Sequence, residues 1–183
     1  MIAVLVAALL AQPAAGLPPG EVPPETGPFS YTTLSLEQGV AKFRDICLNP
    51  LLDHQAIEWA VLASGLGFTR DESVPAGEWL WQSRYGEVYF RSNSAMTDGR
   101  PMQDCDVRFV IPRRLSEREL TRRIERLLAP GRSRVDTELG PIWDLGGNYA
   151  DRLALNRWAP SDPRFISLNR RHIYPGNVQE TSR

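Results

Sequence analysis

The chain has 183 residues and a formal net charge of −1, and this near-neutral balance argues against a dedicated nucleic-acid-binding protein. It contains only two histidines and two cysteines, which form neither an H-x-x-H nor a C-x-x-C set, so we expect no zinc site. The sequence has no P-loop, dinucleotide fingerprint, G-x-S-x-G or S-x-x-K motif. We therefore expect no bound metal and no cofactor.

An apolar run, IAVLVAALLA, opens the chain at residues 2–11, and small residues follow it at positions 14–16. The run is too short for a transmembrane helix, but it fits the apolar region of a secretory signal. We interpret residues 1–16 as a signal peptide and expect the mature protein to be periplasmic or secreted and not transmembrane. No lysine or arginine precedes the run, and a buried N-terminal helix or strand is the alternative.

Prolines and glycines dominate the next stretch, LPPGEVPPETGPFS, which begins at residue 17. Such a sequence does not build a packed element, because proline removes backbone donors and glycine resists ordering. We predict an extended linker over residues 17–34, with a proline-recognition ligand as the alternative. A single domain is expected over residues 35–175, followed by a flexible tail at residues 176–183.

The first predicted helix begins at a capping box formed by Ser35 and Gln38. Apolar residues then recur at helical spacing on one face: Leu36, Val40, Phe43 and Cys47. Asn49 and Pro50 end this helix. Its inward stripe aims Cys47 at the core.

A second helix is predicted from an Asp53 cap to Gly65. Ile57 and Val61 lie on one side, and Trp59 lies opposite them. Because this helix is apolar nearly all round, we expect it to be largely buried.

The pattern then changes to that of strands. Residues 79–81 and 88–90 flank a short turn at residues 84–86, which predicts a hairpin. In the next strand Cys105, Val107, Phe109 and Ile111 share one face. Asp104 and Asp106 lie on the other face of that strand, where we expect them to meet solvent and not to hold a cation.

A third helix is predicted after a second capping box, Ser116 with Glu119, and its inward stripe is Leu120, Ile124 and Leu127. Residues 141–145, 149–158 and 164–168 are predicted as further strands. This order predicts an α+β fold, an antiparallel sheet with two N-terminal helices and one middle helix packed on it.

Cys47 and Cys105 both lie on apolar faces of predicted elements, in a chain expected to enter an oxidising compartment. A disulfide between them is therefore predicted, worth ~4 kcal/mol in the chain-entropy model. The alternative is a thiol nucleophile at Cys47 with His54 as its base. Burial among apolar residues raises a thiol pKa and disfavours this alternative.

Arginines concentrate between residues 113 and 134, with eight of them against three glutamates. Four recur at every fourth position and share one helix face: Arg114, Arg118, Arg122 and Arg126. This arginine face is a candidate surface for an anionic partner: phosphate, an acidic polysaccharide, lipid head groups or nucleic acid. A solvated helix face without a partner is the alternative.

Four aromatic residues surround the predicted hairpin: Trp79, Trp81, Tyr85 and Tyr89. If exposed, they would form a platform for sugars or for an apolar surface of a partner. If buried, they belong to the core, which large aromatic side chains dominate by area.

Several of these features together resemble a diffuse group of small exported proteins from alphaproteobacteria, whose activities are uncharacterised. The likeness covers most of residues 36–111. It rests on the signal, the F-x-x-x-C helix from Phe43 to Cys47, the second helix ending at Gly65 and Phe68, the Trp79 strand and the inward Cys105. The resemblance implies export and a disulfide-stapled domain, and it transfers no catalytic residue.

The leading functional hypothesis is an exported, non-enzymatic envelope or periplasmic binding or accessory protein of unknown ligand, with an anionic envelope component or another protein as the candidate partner. The alternative is a small periplasmic hydrolase or transferase. An enzyme would need a polar group with a perturbed pKa beside an acid-base partner. The residues to inspect for it are His54, His172, Asp53 and Asp144.

Overall fold

The structure is a computed structural model that describes residues 31–95, 100–146, 150–156 and 164–174. The predicted signal peptide (residues 1–16), the predicted linker up to residue 30 and the predicted tail (residues 176–183) lie outside the described residues. No described helix has the length and apolar character that crossing a membrane requires.

Three α-helices lie within the described ranges: α1 Leu36–Phe43, α2 His54–Ala63 and α3 Glu117–Leu128. A π-helical turn, Arg44–Leu48, continues α1. The eight strands of the same ranges are β1 Thr69–Asp71, β2 Glu78–Ser83, β3 Gly86–Ala95, β4 Pro101–Val110, β5 Arg134–Thr137, β6 Gly140–Asp144, β7 Ala150–Asn156 and β8 Phe165–Ile173.

All eight strands form one sheet in the order β1-β2-β3-β4-β8-β7-β6-β5. Every neighbouring pair is antiparallel. The last strand therefore lies between β4 and β7 and joins the two halves of the sheet. The predicted α+β fold with an antiparallel sheet is confirmed, and so is the β2–β3 hairpin, in which Ser83 pairs with Gly86.

One face of the sheet, called the helix face below, carries the core. The three helices contribute buried apolar side chains, among them Val40, Phe43, Ile57, Val61 and Ile124. These join alternate residues of the strands: Trp81, Phe90, Cys105, Phe109, Trp143, Leu153 and Leu168. The opposite surface, on which Asp104, Asp106, Ser167 and Asn169 lie, is called the open face below.

The start of α1 is the predicted capping box. Ser35 Oγ accepts a hydrogen bond from the Gln38 amide at 3.1 Å, and Gln38 Oε1 accepts one from the Ser35 amide at 2.9 Å. One turn later the helix approaches β4 so closely that a Cβ atom at Gly39 would lie 2.1 Å from the Phe109 ring. Only glycine fits this contact between α1 and the sheet.

Cys47 and Cys105 form the predicted disulfide, with their Cα atoms 5.7 Å apart. The bond joins the π-helical turn after α1 to the middle of β4. Because both sulfurs are in this bond, the alternative of a thiol nucleophile at Cys47 is wrong.

The expectation that α2 is largely buried is wrong. Ile57 and Val61 are buried, but Trp59 and Leu62 are 67% and 63% exposed. The helix contacts β3 and the π-helical turn, and no described segment covers the surface that carries Trp59 and Leu62. The predicted inward stripe of α3 is also shifted, because Leu127 is exposed and Thr121 is buried in its place.

The domain includes residues that were assigned to the linker. The Thr32 amide donates to the Arg84 carbonyl at 2.6 Å, and the Leu34 amide donates to the Val110 carbonyl at 2.8 Å. Leu34 is buried in the core. Strands β1 and β5 were not predicted, because they are short, mostly exposed and without apolar alternation.

Candidate anion-binding surfaces

Three members of the arginine face, Arg118, Arg122 and Arg126, lie on α3 as their spacing indicates, whereas Arg114 precedes the Ser116 cap and does not share the helix face as predicted. The side chains of Arg114, Arg118, Arg122 and Arg126 all face solvent. Arg122 Nε donates to the Arg118 carbonyl at 3.3 Å. Among the described residues none of these four guanidinium groups forms an ion pair with a carboxylate.

The arginines beside this face are neutralised. Arg123 pairs with Glu37 of α1 and, at 3.7 Å, with Glu119. Arg134 of β5 pairs with Glu125 at 2.9 Å and with Asp136 at 3.2 Å. These carboxylates border the arginine face but do not form ion pairs with its exposed guanidinium groups. A shallow depression of about 580 Å³ lies between Glu119, Arg122 and Arg126.

The four aromatic residues of the hairpin do not form one platform. Trp81 is only 1% exposed, and Tyr85 is buried as well. Trp79 is half-buried and stacks on His54, with ring centroids 4.2 Å apart. Tyr89 pairs with Leu80 on the open face and donates its hydroxyl hydrogen bond to Glu78. Trp79 and Trp81 therefore belong to the core, and the platform hypothesis is wrong.

The residues singled out for an enzyme have local structural partners. Asp53 caps α2 by accepting from the Ala56 amide at 2.9 Å. His54 lies 3.8 Å from Glu58 one turn along α2 and packs on Trp79. His172 packs edge-on against Tyr174. Asp144 accepts from the Gly146 amide at 2.8 Å.

The open face carries a buried polar network that the sequence did not reveal. Asp104 and Asp106 are 2% and 6% exposed, so the expectation that they meet solvent is wrong. Asp104 accepts from Arg91 of β3 at 3.0 Å and from Arg171 of β8 at 2.8 Å. Arginines of the two neighbouring strands thus compensate the negative charge of the buried Asp104 carboxylate from both sides.

Asp106 is held by a different set of partners. Ser167 Oγ lies 3.0 and 3.2 Å from its two carboxylate oxygens, and Arg108 Nε lies 3.6 Å away. Burial raises the pKa of Asp106 to about 6, although the charge of Arg108 and the hydrogen bond from Ser167 oppose that shift. Asp106 therefore keeps its proton to a higher pH than an ordinary aspartate does.

Two tyrosines complete the open face. Tyr31 donates to Glu87 at 2.6 Å, and Glu87 also accepts from Arg108 at 3.3 Å. Burial, helped by the neighbouring Glu87 carboxylate, raises the pKa of Tyr31 well above its usual value. Burial and the hydrogen bond to Glu78 raise the pKa of Tyr89 to about 12. Both hydroxyls remain protonated donors at neutral pH.

The register of the sheet explains why these residues were missed. Arg91 and Asp104 come from consecutive strands, but Arg171 is 67 residues from Asp104 and becomes its neighbour only because β8 pairs with β4. The one signal available was the alternation of aspartate with apolar residues in β4. That alternation is also typical of a strand with a solvated face.

No protein-family model matches the chain, and no curated protein or solved structure is significantly similar to it. Within the described ranges, no three His, Cys, Asp or Glu side chains are grouped so that they could hold a metal ion.

Proposed function

We propose that this protein is an exported, non-enzymatic binding module and that the arginine face of α3 binds an anionic component of the cell envelope. The observation that carries the proposal is a difference in ion pairing between neighbouring arginines. Arg123 and Arg134 are each paired with two carboxylates. Arg118, Arg122 and Arg126 are exposed, and in the described part of the chain they have no ion-pair partner.

Repulsion within the arginine face favours a polyanionic partner. Residues four apart on a helix are separated by about 6 Å along its axis, within the Debye length of physiological salt. The like charges therefore repel one another in the free protein, and an anionic surface or chain that bridges them relieves this repulsion. A ligand with several negative charges therefore gains more binding free energy than a ligand with a single charge.

Export is supported by the apolar run at residues 2–11 and by the disulfide, since disulfides persist in oxidising compartments. The resemblance to small exported proteins agrees with it. Mass spectrometry of the protein purified from the periplasm or medium should find an N-terminus between Ala15 and Pro18. A cytosolic protein that retains Met1 would contradict export.

Binding is tested with heparin, as an acidic polysaccharide, and with phosphatidylglycerol vesicles. The test variant replaces Arg118, Arg122 and Arg126 with glutamine. Its matched control makes the same replacement at Arg44, Arg70 and Arg84, which have the same charge and lie outside α3. We expect the test variant, and not the control, to lose at least tenfold in affinity and to show a weaker salt dependence.

The two probes distinguish the partner classes. Stronger binding to heparin favours an acidic polysaccharide, and stronger binding to phosphatidylglycerol vesicles than to neutral phosphatidylcholine vesicles favours lipid head groups. The proposal fails if the test variant and the control variant bind both probes equally well.

The enzymatic alternative rests on Asp106, whose raised pKa is a common feature of acid-base groups. Its surroundings favour a structural role. Ser167 lies within hydrogen-bond distance of both carboxylate oxygens, and the residue is 6% exposed. A carboxylate this buried, with both oxygens close to Ser167, is poorly placed to contact a substrate, so the geometry favours binding over catalysis.

A further inference from the structure

A small cavity of about 90 Å³ opens on the open face of the sheet, where β6, β7 and β8 run side by side. Its polar lining includes Arg152, Asn169 and Arg171, and its apolar lining includes Ile142 and Ala154. The cavity lies on the side of the sheet opposite to the helices. It is therefore separate from the arginine face.

Asn169 is the residue that marks this cavity as a binding site. The residue is 6% exposed and in the described part of the chain its amide makes no hydrogen bond, yet the polar atoms of this amide are not among the fully buried ones that lack a partner. The nearby polar side chains, by contrast, have hydrogen-bond partners. Ser167 donates to Asp106 and accepts a hydrogen bond from Asn156 at 3.4 Å. The Asn169 amide is therefore open to the cavity that Asn169 lines, and a ligand in the cavity can form the hydrogen bonds that the protein does not supply.

Two arginines at the cavity are placed to receive a carboxylate. Arg152 and Arg171 are direct partners across β7 and β8. The Arg171 Nε group donates to Asp104 at 2.8 Å, which holds the guanidinium in place and leaves its terminal nitrogens for another acceptor. Arg152 forms no ion pair with any described residue, although Asp144 lies opposite it across β6 and β7.

We propose that this cavity binds the carboxylate of a small amphipathic monoanion. Arg152 and Arg171 provide charged donors, which suit the two oxygens of a carboxylate. The Asn169 amide provides a neutral donor, and Ile142 with Ala154 contacts the apolar part of the ligand.

The size of the cavity limits what enters it. Sites for complete small ligands commonly measure about 300–1,000 Å³, so a volume of about 90 Å³ admits only the end group of such a ligand. A neighbouring depression of about 360 Å³ shares Thr137, Ile142 and Arg152 with the cavity. Val135 and Ile142 form the apolar side of this depression, beside the polar Ser133 and Asp144, and the apolar remainder of the ligand extends along that apolar side.

The test uses hexanoate as the probe and hexanol, which has the same tail without the charge, as its matched control compound. Isothermal titration calorimetry measures binding to the full mature chain. Side-chain amide NMR signals of Asn156 and Asn169 report where the probe lies. We expect hexanoate to bind at least tenfold more tightly than hexanol and to shift the Asn169 signal.

Two variants test the roles assigned to the cavity residues. Arg152→Gln should weaken hexanoate binding about tenfold, the loss expected from one charged hydrogen bond. Arg70→Gln, at the far edge of the sheet, should leave binding unchanged. Asn169→Leu should weaken hexanoate binding and should not lower the urea midpoint of unfolding, because the amide makes no hydrogen bond in the free protein.

Three outcomes would overturn the proposal. The first is that hexanoate binds no better than hexanol. The second is that Arg152→Gln and Arg70→Gln bind hexanoate with the same affinity. The third is that Asn169→Leu unfolds at lower urea than the wild type, which would show that the amide supports the fold. None of these outcomes bears on the arginine face, so the two proposals fail independently.

Discussion

Arg170 Nη1 donates a hydrogen bond of 2.8 Å to the carbonyl oxygen of Cys47, and Arg170 is also the residue that pairs with Cys105 across β4 and β8. Cys47 is thus attached to the sheet twice, once by the disulfide to Cys105 and once by the hydrogen bond from Arg170 to its carbonyl. The same nitrogen lies 3.2 Å from the carbonyls of Leu48 and Pro50. Arg170 therefore satisfies carbonyl groups that the end of a helix leaves without partners.

The first prediction concerns Arg170 and Asp151. Their bidentate pair, with distances of 3.1 and 2.9 Å, is mostly buried. Arg170→Met should lower the free energy of unfolding by ~3 kcal/mol, because it leaves Asp151 without its charged partner and removes the helix-end hydrogen bonds. Urea denaturation measures this loss.

Two further variants separate the causes of that loss. Arg170→Met combined with Asp151→Leu should recover part of the stability, because no unpaired carboxylate remains. Arg134→Met breaks a more exposed pair and should cost less than ~1 kcal/mol. Equal losses for Arg170→Met and Arg134→Met would contradict the role assigned to Arg170.

The second prediction concerns the disulfide. Replacing both Cys47 and Cys105 with alanine should lower the free energy of unfolding by ~2–5 kcal/mol, because the unfolded chain loses a constraint. Reduction of the wild type should produce a loss of similar size, whereas a reducing agent should not affect the double variant. The native oxidised protein should not react with a thiol probe, and rapid labelling of Cys47 would contradict the bond.

The third prediction concerns pH. The pKa of Asp106 is raised to about 6 in the fold, against 3.8 for an ordinary aspartate. The folded protein therefore holds this proton more tightly than the unfolded chain, so the stability that the group contributes is present below about pH 4 and is lost as the pH rises through about 6.

The corresponding variant is Asp106→Asn, which keeps an acceptor for Ser167 and has no charge to bury. It should match the wild type near pH 4 and exceed it at pH 7 by ~2–3 kcal/mol, because one pKa unit corresponds to about 1.4 kcal/mol. Urea unfolding at both pH values measures the difference. A variant that is less stable than the wild type at pH 7 would show that the buried charge stabilises the sheet.

The fourth prediction concerns Gly39. Alanine favours a helix interior by about 1 kcal/mol over glycine, yet Gly39→Ala should destabilise the protein by ~1–3 kcal/mol. The added methyl group would lie 2.1 Å from the buried Phe109 ring, and α1 would have to move away from β4. Thermal unfolding measures the effect. Gly39→Ala combined with Phe109→Leu should be less destabilised than the sum of the two single variants.

Local signals in the sequence predicted much of the fold. The caps at Ser35, Asp53 and Ser116 identified the starts of all three described helices, because a cap is made by residues that are adjacent in the chain. Alternation identified the buried face of β4, and helical spacing identified the buried face of α1. Since both cysteines lie on those faces, the disulfide also followed from the sequence.

The sequence predicted the part of the arginine face on α3, Arg118, Arg122 and Arg126, in the same way, since residues at every fourth position of a helix share one side. It wrongly extended this face to Arg114, which precedes the Ser116 cap. It did not show which arginines are neutralised. Glu37 reaches Arg123 from α1, and this contact depends on how α1 and α3 pack. The exposed outer surface of α2 was missed for a related reason, because an apolar composition does not reveal whether a second layer covers the helix.

Only the tertiary structure decided the open face and its cavity. A strand pattern shows that residues alternate, but it does not show which strand will lie beside which, and in this sheet β8 enters between β4 and β7. That order places Arg171 beside Asp104 and opposite Arg152, and it buries Asn169 between two strands. Register is a property of paired strands and not of one segment, so charges distant in sequence become one network only when the sheet is assembled.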